Sequence, residues 1–460
     1  MQKIVIKNFG AIKEAEIDIP KVLVLIGEQA SGKSTIAKLI YFFQGLRDDF
    51  FEAAILSGEN SNMSLWEIII GKFYVFFGSE EISSNFEVTY FYDIETLNYI
   101  NIFLSPEKQI KGNYSDFFKN KASNAGLGIA KNGVAIFNQF ISETQDSHEI
   151  VILENQKNEF IKATSKSVNE IFNLKYENIL FIIAGRNATV QYNDLFEKHL
   201  FTYVQNQVEE NKKDPIEDKE QAVNEFLTLE FMKRVSRVKT IFERNGGTFA
   251  SLLKSENKNG IFQKAENKIS EILKGKYSSD KLGEKIHLEN GSFVRLSNAS
   301  SGQQESIRIL QDLFLVIIQN QKVLRIVEEP EAHLFPIAQK QMIELLALMV
   351  NQNENSRLII TTHSPYILST FNNLLFASRV VEKNPDAERD VSEIVDIDFR
   401  LKAADFAAYT LRFTEGGFVS ESIMSDKGVI KQNYLDTVSE MLGSEFNQLY
   451  SIHAKTFARK

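Results

Sequence analysis

A glycine-containing loop at residues 27–34, with the sequence GEQASGKS, limits the possible folds of this chain more than any other feature. The apolar run Val22 to Ile26 precedes it, and apolar residues at helical spacing follow from Ile36 to Phe43. A buried strand, a glycine loop and a helix in this order form the context that a phosphate-binding loop requires. A chance match to a loose pattern is the alternative, and the flanking strand and helix argue against it.

Each residue type in this phosphate loop has an expected task. Glycines let successive backbone N–H groups point at one anion, and the N-terminus of the helix adds its positive dipole. We expect Lys33 to reach the β- and γ-phosphates of a nucleotide and the Ser34 hydroxyl to ligate Mg²⁺. The predicted phosphate-binding residues are Gly27, Ser31, Gly32, Lys33, Ser34 and Thr35.

Composition excludes several classes of protein. With 460 residues, 43% of them hydrophobic, the chain is large enough for two or three domains with a sizeable core. It has no cysteine, which rules out disulfides and thiolate metal sites and fits a cytoplasmic protein. Apolar stretches such as Leu313 to Ile318 are too short to span a bilayer, so no membrane-embedded subunit is expected. A net charge of −9 gives no general attraction to DNA, although local basic faces could bind it.

A pair of glutamates forms the second candidate site. Residues 323–330 read VLRIVEEP, so Glu328 and Glu329 end a predicted strand, where ligands bind in open α/β sheets. We expect Glu328 to hold Mg²⁺, mostly through water, and Glu329 to orient and polarise an attacking water. In isolation the pair would be interpreted as solvated glutamates. A phosphate loop in the same chain favours the catalytic interpretation.

A serine–glycine segment, residues 300–305 with the sequence SSGQQE, lies just before a predicted helix. The simple interpretation is a capping box, in which Ser301 caps the helix and Gln304 reaches back. The functional interpretation uses the same physics, because an uncovered helix N-terminus with Ser301, Gly302 and Gln303 is an anion site. We call residues 300–305 the signature segment.

A histidine ends a further apolar run, since residues 358–365 read LIITTHSP. His363 follows Glu329 by 34 residues, with one predicted helix between them. This spacing places His363 on the neighbouring strand, beside the glutamates. A lone histidine at a strand end is usually structural, but here we expect it to hydrogen-bond a phosphate or the attacking water.

In order and spacing the four motifs resemble those of ABC-type ATPases, and the chain is most similar to their RecF/SMC/OLD branch. The likeness is carried by residues 6–17, 328–336 and 361–366, and it covers roughly residues 1–45 and 290–370. The resemblance implies a Mg²⁺-dependent ATP hydrolase that works as a homodimer or higher homo-oligomer. In it, two heads sandwich two ATP molecules, and Ser301, Gly302 and Gln303 contact the γ-phosphate of the ATP held by the other subunit.

Within that branch, the signature segment and the overall size resemble stand-alone ATPases of bacterial anti-phage systems, such as the Septu ATPase PtuA. This likeness implies a sensor or regulator that is paired with a separate nuclease effector. The alternative is a RecF-like DNA repair or recombination ATPase that binds DNA itself. A third possibility is a regulator that binds ATP and seldom hydrolyses it.

The predicted fold class is α/β, a P-loop ABC-ATPase head with a mixed, largely parallel sheet, interrupted by a large mixed, mostly helical insertion. Four segments follow from this prediction: 1–45, the first part of the head with Walker A; 46–285, the rest of the first lobe and the insertion; 286–400, the second part of the head; and 401–460, a helical C-terminal segment. Strands are predicted at residues 73–77, 86–92, 150–153 and 179–183, and a helix at 223–244.

Several weaker features carry predictions of their own. Arg186 follows an apolar run and a glycine, so it points either at a phosphate or into a surface salt bridge. The basic residues of helix 223–244 form a solvated face or a nucleic-acid or partner surface. Gln44 is expected to cap the phosphate-loop helix. Residues 380–382 and 396–398 mimic parts of a Toprim nuclease site, but a glycine is missing and the gap is too short, so no nuclease is expected.

Overall fold

A computed structural model describes residues 1–56, 65–78, 85–124, 142, 147–191, 222–253, 260–431 and 434–457. The strands are β1 (Gln2–Phe9), β2 (Ile12–Ile19), β3 (Val22–Gly27), β4 (Glu87–Asp93), β5 (Asn98–Leu104), β6 (Ile110–Tyr114), β7 (Asn178–Ile182), β8 (Lys276–Asp280), β9 (Gly283–His287), β10 (Phe293–Arg295), β11 (Val323–Glu328), β12 (Arg357–Thr362), β13 (Phe406–Thr414) and β14 (Gly417–Ser422). The helices are α1 (Lys33–Leu56), α2 (Leu65–Phe77), α3 (Asp116–Asn124), α4 (Ser147–Ile171), α5 (Ala188–Gln191), α6 (Ala222–Arg244), α7 (Phe249–Leu252), α8 (Gly260–Leu273), α9 (Ser301–Ile318), α10 (Pro336–Gln352), α11 (Pro365–Lys383), α12 (Glu388–Ile394) and α13 (Tyr434–Phe457).

Most of these strands form one sheet of mixed direction. Its order is β6-β5-β4-β1-β2-β14-β13-β3-β12-β11-β7, and β10-β9-β8 form a separate small sheet. The run from β13 to β7 is parallel throughout, whereas β6, β5, β4, β1 and β2 pair antiparallel. The α/β prediction with a mixed sheet is therefore confirmed, and the parallel half of the sheet contains the strands that lead to the predicted motifs.

Helices cover both faces of the parallel half, which explains why β3 is a continuous apolar run. Its side chains alternate between two apolar clusters. Val22, Val24 and Ile26 belong to the cluster that includes α9, α10 and α11, whereas Leu23 and Leu25 belong to the cluster that includes α1 and α2. Within the described residues, no helix combines the length and the apolar character that are needed to cross a membrane.

A cluster of phenylalanine rings joins α2 to α1 and to the antiparallel strands. The ring of Phe73 lies 5.5 Å from that of Phe42, 5.8 Å from that of Phe86 and 6.1 Å from that of Phe9, between centroids. The predicted strand at residues 73–77 is therefore wrong, because this aromatic run packs at helical spacing on α2.

The predicted strand at 150–153 is wrong too, since it falls in α4. The strands at 86–92 and 179–183 and the helix at 223–244 are confirmed as β4, β7 and α6.

The C-terminal part of the chain also differs from the prediction of a helical segment at residues 401–460. β13 and β14 form a hairpin that enters the main sheet, with β13 parallel to β3 and β14 parallel to β2. Phe406 and Leu411 are buried in β13, which places this strand in the core of the head. Of the described residues in this segment, only 434–457 form a long helix.

Replacing Phe73 by alanine should destabilise the head, because the side chain is fully buried among other aromatic rings. We expect a loss of about 3–5 kcal/mol in the free energy of unfolding, as for other buried phenylalanines. Val75→Ala is the matched control on the same helix, since Val75 is 41% exposed, and its cost should stay within about 0.5 kcal/mol. Urea denaturation of both variants measures the difference. Equal midpoints would show that the ring cluster contributes little.

Candidate functional site

Strand register brings the predicted motifs to one edge of the sheet. Ile26 at the end of β3 pairs with Thr362 at the end of β12, and Thr361 pairs with Glu328 at the end of β11. Because the strands are parallel, the segments that follow them emerge side by side at their carboxyl ends. The phosphate loop, His363 and Glu329 therefore lie at the same edge.

The phosphate loop joins β3 to the first turn of α1, as predicted. Ala30 and Gly32 adopt φ angles of 58° and 95°, the left-handed backbone that lets the loop curl back on itself. Lys33 opens the helix, with Ser34 exposed and Thr35 half-buried in the same turn. A Cβ on Gly32 would lie 2.7 Å from Cγ1 of Ile12, so this position has no room for a side chain unless Ile12 moves.

The Lys33 ammonium is folded into the loop. Nζ donates hydrogen bonds to the carbonyl oxygens of Gly27, at 2.9 Å, and Glu28, at 2.6 Å, and lies 3.3 Å from Oγ of Ser31. Burial lowers the pKa of Lys33 to about 8, and the negative charges of Glu329, Glu331 and Glu28 offset part of this effect. A buried ammonium at the opening of the phosphate loop suits an anionic ligand. The negative charge of such a ligand would stabilise the protonated lysine, which burial has removed from water.

Glu329 and His363 are brought together as predicted. Nε2 of His363 lies 3.3 Å from Oε1 of Glu329, and both side chains are partly exposed. Glu329 has a φ of 44°, in the left-handed region that a non-glycine residue rarely adopts, and its N–H donates to the Thr361 carbonyl at 2.9 Å. Strained backbone of this kind persists where the surroundings fix it, and it concentrates at functional sites.

Glu331 is a site residue to which the sequence analysis assigned no role. Its Oε1 accepts a hydrogen bond from Oγ1 of Thr362 and another from the N–H of His363, both at 2.7 Å. Burial raises the pKa of Glu331, and these two hydrogen bonds offset part of the increase. The carboxylate therefore holds the backbone of the histidine in place. Its position two residues after Glu329 was the only available signal, and it did not distinguish Glu331 from a solvated glutamate.

The signature segment begins α9, but its capping differs from the prediction. Ser300, not Ser301, is the N-cap, and Gln303 completes the capping box by accepting from the Ser300 N–H at 3.0 Å. The Gln303 amide also donates to the Leu273 carbonyl at 2.7 Å, so this side chain is engaged within its own subunit. Ser301 is exposed. Gly302 packs so closely that a Cβ would lie 2.6 Å from the backbone oxygen of His333.

The predicted surface salt bridge of Arg186 is wrong. Its side chain lies fully buried in the loop after β7, and its donors are directed at protein groups. The guanidinium donates to the carbonyl oxygens of Glu328, at 2.7 Å, and Glu329, at 3.0 Å. Burial lowers the pKa of Arg186, and the nearby carboxylates of Glu305 and Glu328 are among the charges that oppose the shift. The chain therefore uses this arginine to hold the backbone of the glutamate pair.

Comparisons with known proteins agree with this arrangement. Residues 1–368 match the family model AAA_15, described as an AAA ATPase domain. The chain belongs to this family. This membership supports the description of the chain as an ATPase. No curated protein sequence matches the chain.

Solved structures of SMC heads are among those similar to this ATPase. The SMC head domain from Thermotoga maritima is 11% identical, with a TM-score of 0.36, over 92% of this chain and 98% of that one. An SmcHead bound to the C-winged helix domain of ScpA is 12% identical, with a TM-score of 0.39 and the same coverage. A Pyrococcus furiosus Smc head is 13% identical, with a TM-score of 0.35, over 96% and 99%.

One other prediction about this ATPase is corrected, and the residues that mimic parts of a Toprim site are located. Gln44 does not cap α1; it is buried within the helix, and its amide donates to Oε1 of Gln2 at 2.9 Å. Glu382 lies in helix α11, while Asp396 and Asp398 both bind the ammonium of Lys264, so these residues form no Toprim metal site.

The residues predicted to hold Mg²⁺ fit that ion. Glu328 is half-buried at the carboxyl end of β11, and the backbone N–H of Ala184 lies 3.4 Å from its Oε2. Ser34 is exposed in the first turn of α1. A carboxylate and a hydroxyl are hard oxygen donors, and Mg²⁺ is usually bound by one or two such groups together with phosphates and water. In the described residues, no group of three or more His, Asp or Glu side chains forms an all-protein metal site.

Gly302→Ala should impair ATP hydrolysis, because its Cβ would meet the backbone of His333 and force the segment after the glutamate pair to move. A displacement of about 1 Å near a catalytic group can reduce a rate on the order of 10²-fold. Gly71→Ala is the control, since this exposed helical glycine has no atom within 4 Å of the added Cβ. Steady-state phosphate release measures both variants. Wild-type rates for Gly302→Ala would contradict the tight packing.

Proposed function

We propose that this protein is a Mg²⁺-dependent ATP hydrolase in which two heads enclose two ATP molecules, and that the dimer regulates a separate nuclease effector in bacterial anti-phage defence. The contact between Glu329 and His363, at the edge that also carries the phosphate loop, is the observation that supports hydrolysis most directly. The four sequence segments defined above stand as the proposed domain organisation, except that β13 and β14 belong to the head.

The residues of one chain account for most of the chemistry. Lys33 and the backbone of the phosphate loop bind the phosphates, and Ser34 and Glu328 would hold Mg²⁺, which neutralises phosphate charge when bound. Glu329 accepts a proton from the attacking water or orients it, as a general base at the γ-phosphate does. His363 donates a hydrogen bond to the phosphate or to that water. Glu331 keeps the His363 backbone in register with the glutamate pair.

The second half of the site is proposed to come from another copy of the chain. Ser301 is exposed at the N-terminus of α9, where a serine hydroxyl and free N–H groups attract an anion. Ser301 and Gly302 are therefore available for the γ-phosphate of a partner's ATP, whereas the Gln303 side chain serves its own helix.

The RecF-like alternative requires a DNA-binding surface on this chain. α6 carries the candidate basic residues, but Lys233 pairs with Glu230 at 2.7 Å and Arg234 pairs with the buried Asp312 at 2.6 Å. These pairings reduce the charge that two of the five basic residues of α6 offer to phosphates, which weighs against the RecF-like alternative. An HNH or Toprim nuclease encoded beside this gene would support the defence role.

Glu329→Gln should bind ATP but hydrolyse it about 10²–10⁴-fold more slowly, since the amide cannot accept the proton. The trapped complex should elute as a dimer in gel filtration with ATP and Mg²⁺, and as a smaller species without nucleotide. Glu393→Gln is the control, because Glu393 is an exposed residue of α12. Hydrolysis by Glu329→Gln at the wild-type rate would show that another group is the base.

Mixing two inactive variants tests whether each site is built from two chains. Lys33→Ala disables the phosphate loop and Ser301→Arg blocks the signature segment, so each variant alone should be inactive. A mixed dimer contains one site in which both parts are intact, and mixing should restore part of the activity. No recovery would place the whole site in one chain. Strong stimulation of the unmixed wild type by duplex DNA would instead favour the RecF-like alternative.

A further inference from the structure

The guanidinium of Arg186 is fully occupied by the backbone and side chains of three segments. Nε donates to the Glu305 carbonyl at 3.2 Å, and Nη1 donates to the carbonyls of Ile183, at 2.6 Å, and Glu328, at 2.7 Å. Nη2 donates to the Glu329 carbonyl at 3.0 Å and lies 3.3 Å from Oε1 of Glu305. Four of these contacts are hydrogen bonds and the fifth is an ion pair, so both Nη atoms and Nε of Arg186 all contact protein oxygens.

Glu305 binds the same loop a second time. Its Oε1 accepts from the Arg186 N–H at 2.9 Å, and its Oε2 accepts from the Asn187 N–H at 2.7 Å. The Glu305 side chain is 1% exposed, as is that of Arg186. Breaking a buried and fully hydrogen-bonded ion pair is costly, so the loop after β7 and the start of α9 move together.

The ion pair between Arg186 and Glu305, called the link below, joins the two halves of the proposed ATP site. One half is the signature segment, and the other is the glutamate pair beside the phosphate loop. Glu305 lies one helical turn after Ser301, the exposed residue that is proposed to contact the partner's ATP. The other end of the link holds the carbonyls of Glu328 and Glu329, which act on the ATP bound by this chain's own phosphate loop. One buried side chain therefore connects the two nucleotides that a single head would touch.

We propose that Arg186 is a positioning residue that couples the two ATP sites of the head dimer. When the signature segment of a head engages the partner's ATP, α9 moves or stiffens, and Arg186 transmits this change to the backbone of the glutamate pair. Hydrolysis in one site then depends on occupancy of the other, so the rate rises cooperatively with ATP concentration. This inference rests on the proposed head dimer.

A lysine cannot replace Arg186 in this role. Lysine retains the positive charge, but its ammonium has three donors at one point and cannot span Glu305, Glu328 and Glu329 as the planar fork does. Arg308 provides a matched control on α9, the helix that carries Glu305. It is also buried and holds Glu284 in a bidentate pair at 2.6 and 2.7 Å, but that pair leads to β9 and not to the glutamate pair.

The test compares the wild type with Arg186→Lys, Glu305→Gln and Arg308→Lys. Hydrolysis is measured against ATP concentration, binding of a fluorescent ATP analogue is measured at low protein concentration, and the melting temperature reports stability. The wild type should show a Hill coefficient above 1 and at most about 2, the number of sites. Arg186→Lys and Glu305→Gln should lower it towards 1 while nucleotide affinity changes less than about threefold. Arg308→Lys should lose similar stability and keep the wild-type coefficient.

The outcomes separate this inference from the proposed function. If Arg186→Lys and Glu305→Gln are folded and as cooperative as the wild type, the coupling role is wrong and the head dimer stands. If Arg308→Lys lowers the coefficient equally, the effect reflects general loosening of α9, and the role of Arg186 is again wrong. If the wild type forms no ATP-dependent dimer, the proposed function fails and the inference fails with it. If Arg186→Lys does not fold, the Glu305→Gln variant alone decides between the first two outcomes.

Discussion

Parallel pairing of β3, β12, β11 and β7 is the constraint on which the whole site depends. Each of these strands ends in a different functional part: the phosphate loop, His363, the glutamate pair and the loop that carries Arg186. A register slip of one residue would turn the side chains of a strand to the opposite face and remove them from the shared edge. The two apolar clusters oppose such a slip, because it would exchange the residues that each strand contributes to each cluster.

Charge at this edge is balanced by the chain's own groups. Lys33 binds backbone carbonyls and feels the fields of Glu329 and Glu331, while Arg186 binds the carbonyls of the glutamate pair. The cation and the carboxylates thus belong to one electrostatic unit rather than to independent surface pairs. Under the proposed function, a triphosphate would replace the carbonyl oxygens as the partner of Lys33, and the carboxylates would position water and metal. In this state the site resembles a preorganised environment that needs little rearrangement during reaction.

Sequence reasoning worked where function depends on contiguous residues. The phosphate loop, the glutamate pair and His363 each follow an apolar strand, so their spacing revealed both their element and their shared edge. It failed where a residue's role depends on distant partners. The sequence around Arg186 does not indicate that Glu305, over a hundred residues away, is its buried hydrogen-bond and ion-pair partner. The aromatic run at residues 73–77 and the strand β13 were misjudged for the same reason, because tertiary packing decides their conformation.

The physical character of α9 determines how its two ends can communicate. Every residue from Gln304 to Ile317 is buried, whereas Ser301 is exposed. A helix embedded in this way cannot deform gradually, because close-packed interiors pass displacement on to their neighbours rather than absorbing it. A contact made at Ser301 is therefore transmitted by the helix as a rigid body, and Glu305 is the first residue at which a buried ion pair joins the helix to the loop after β7. Contact of Ser301 with a partner's nucleotide is thus transmitted to the glutamate pair by the packing of α9 and by the contacts of Arg186, which are present in a single head.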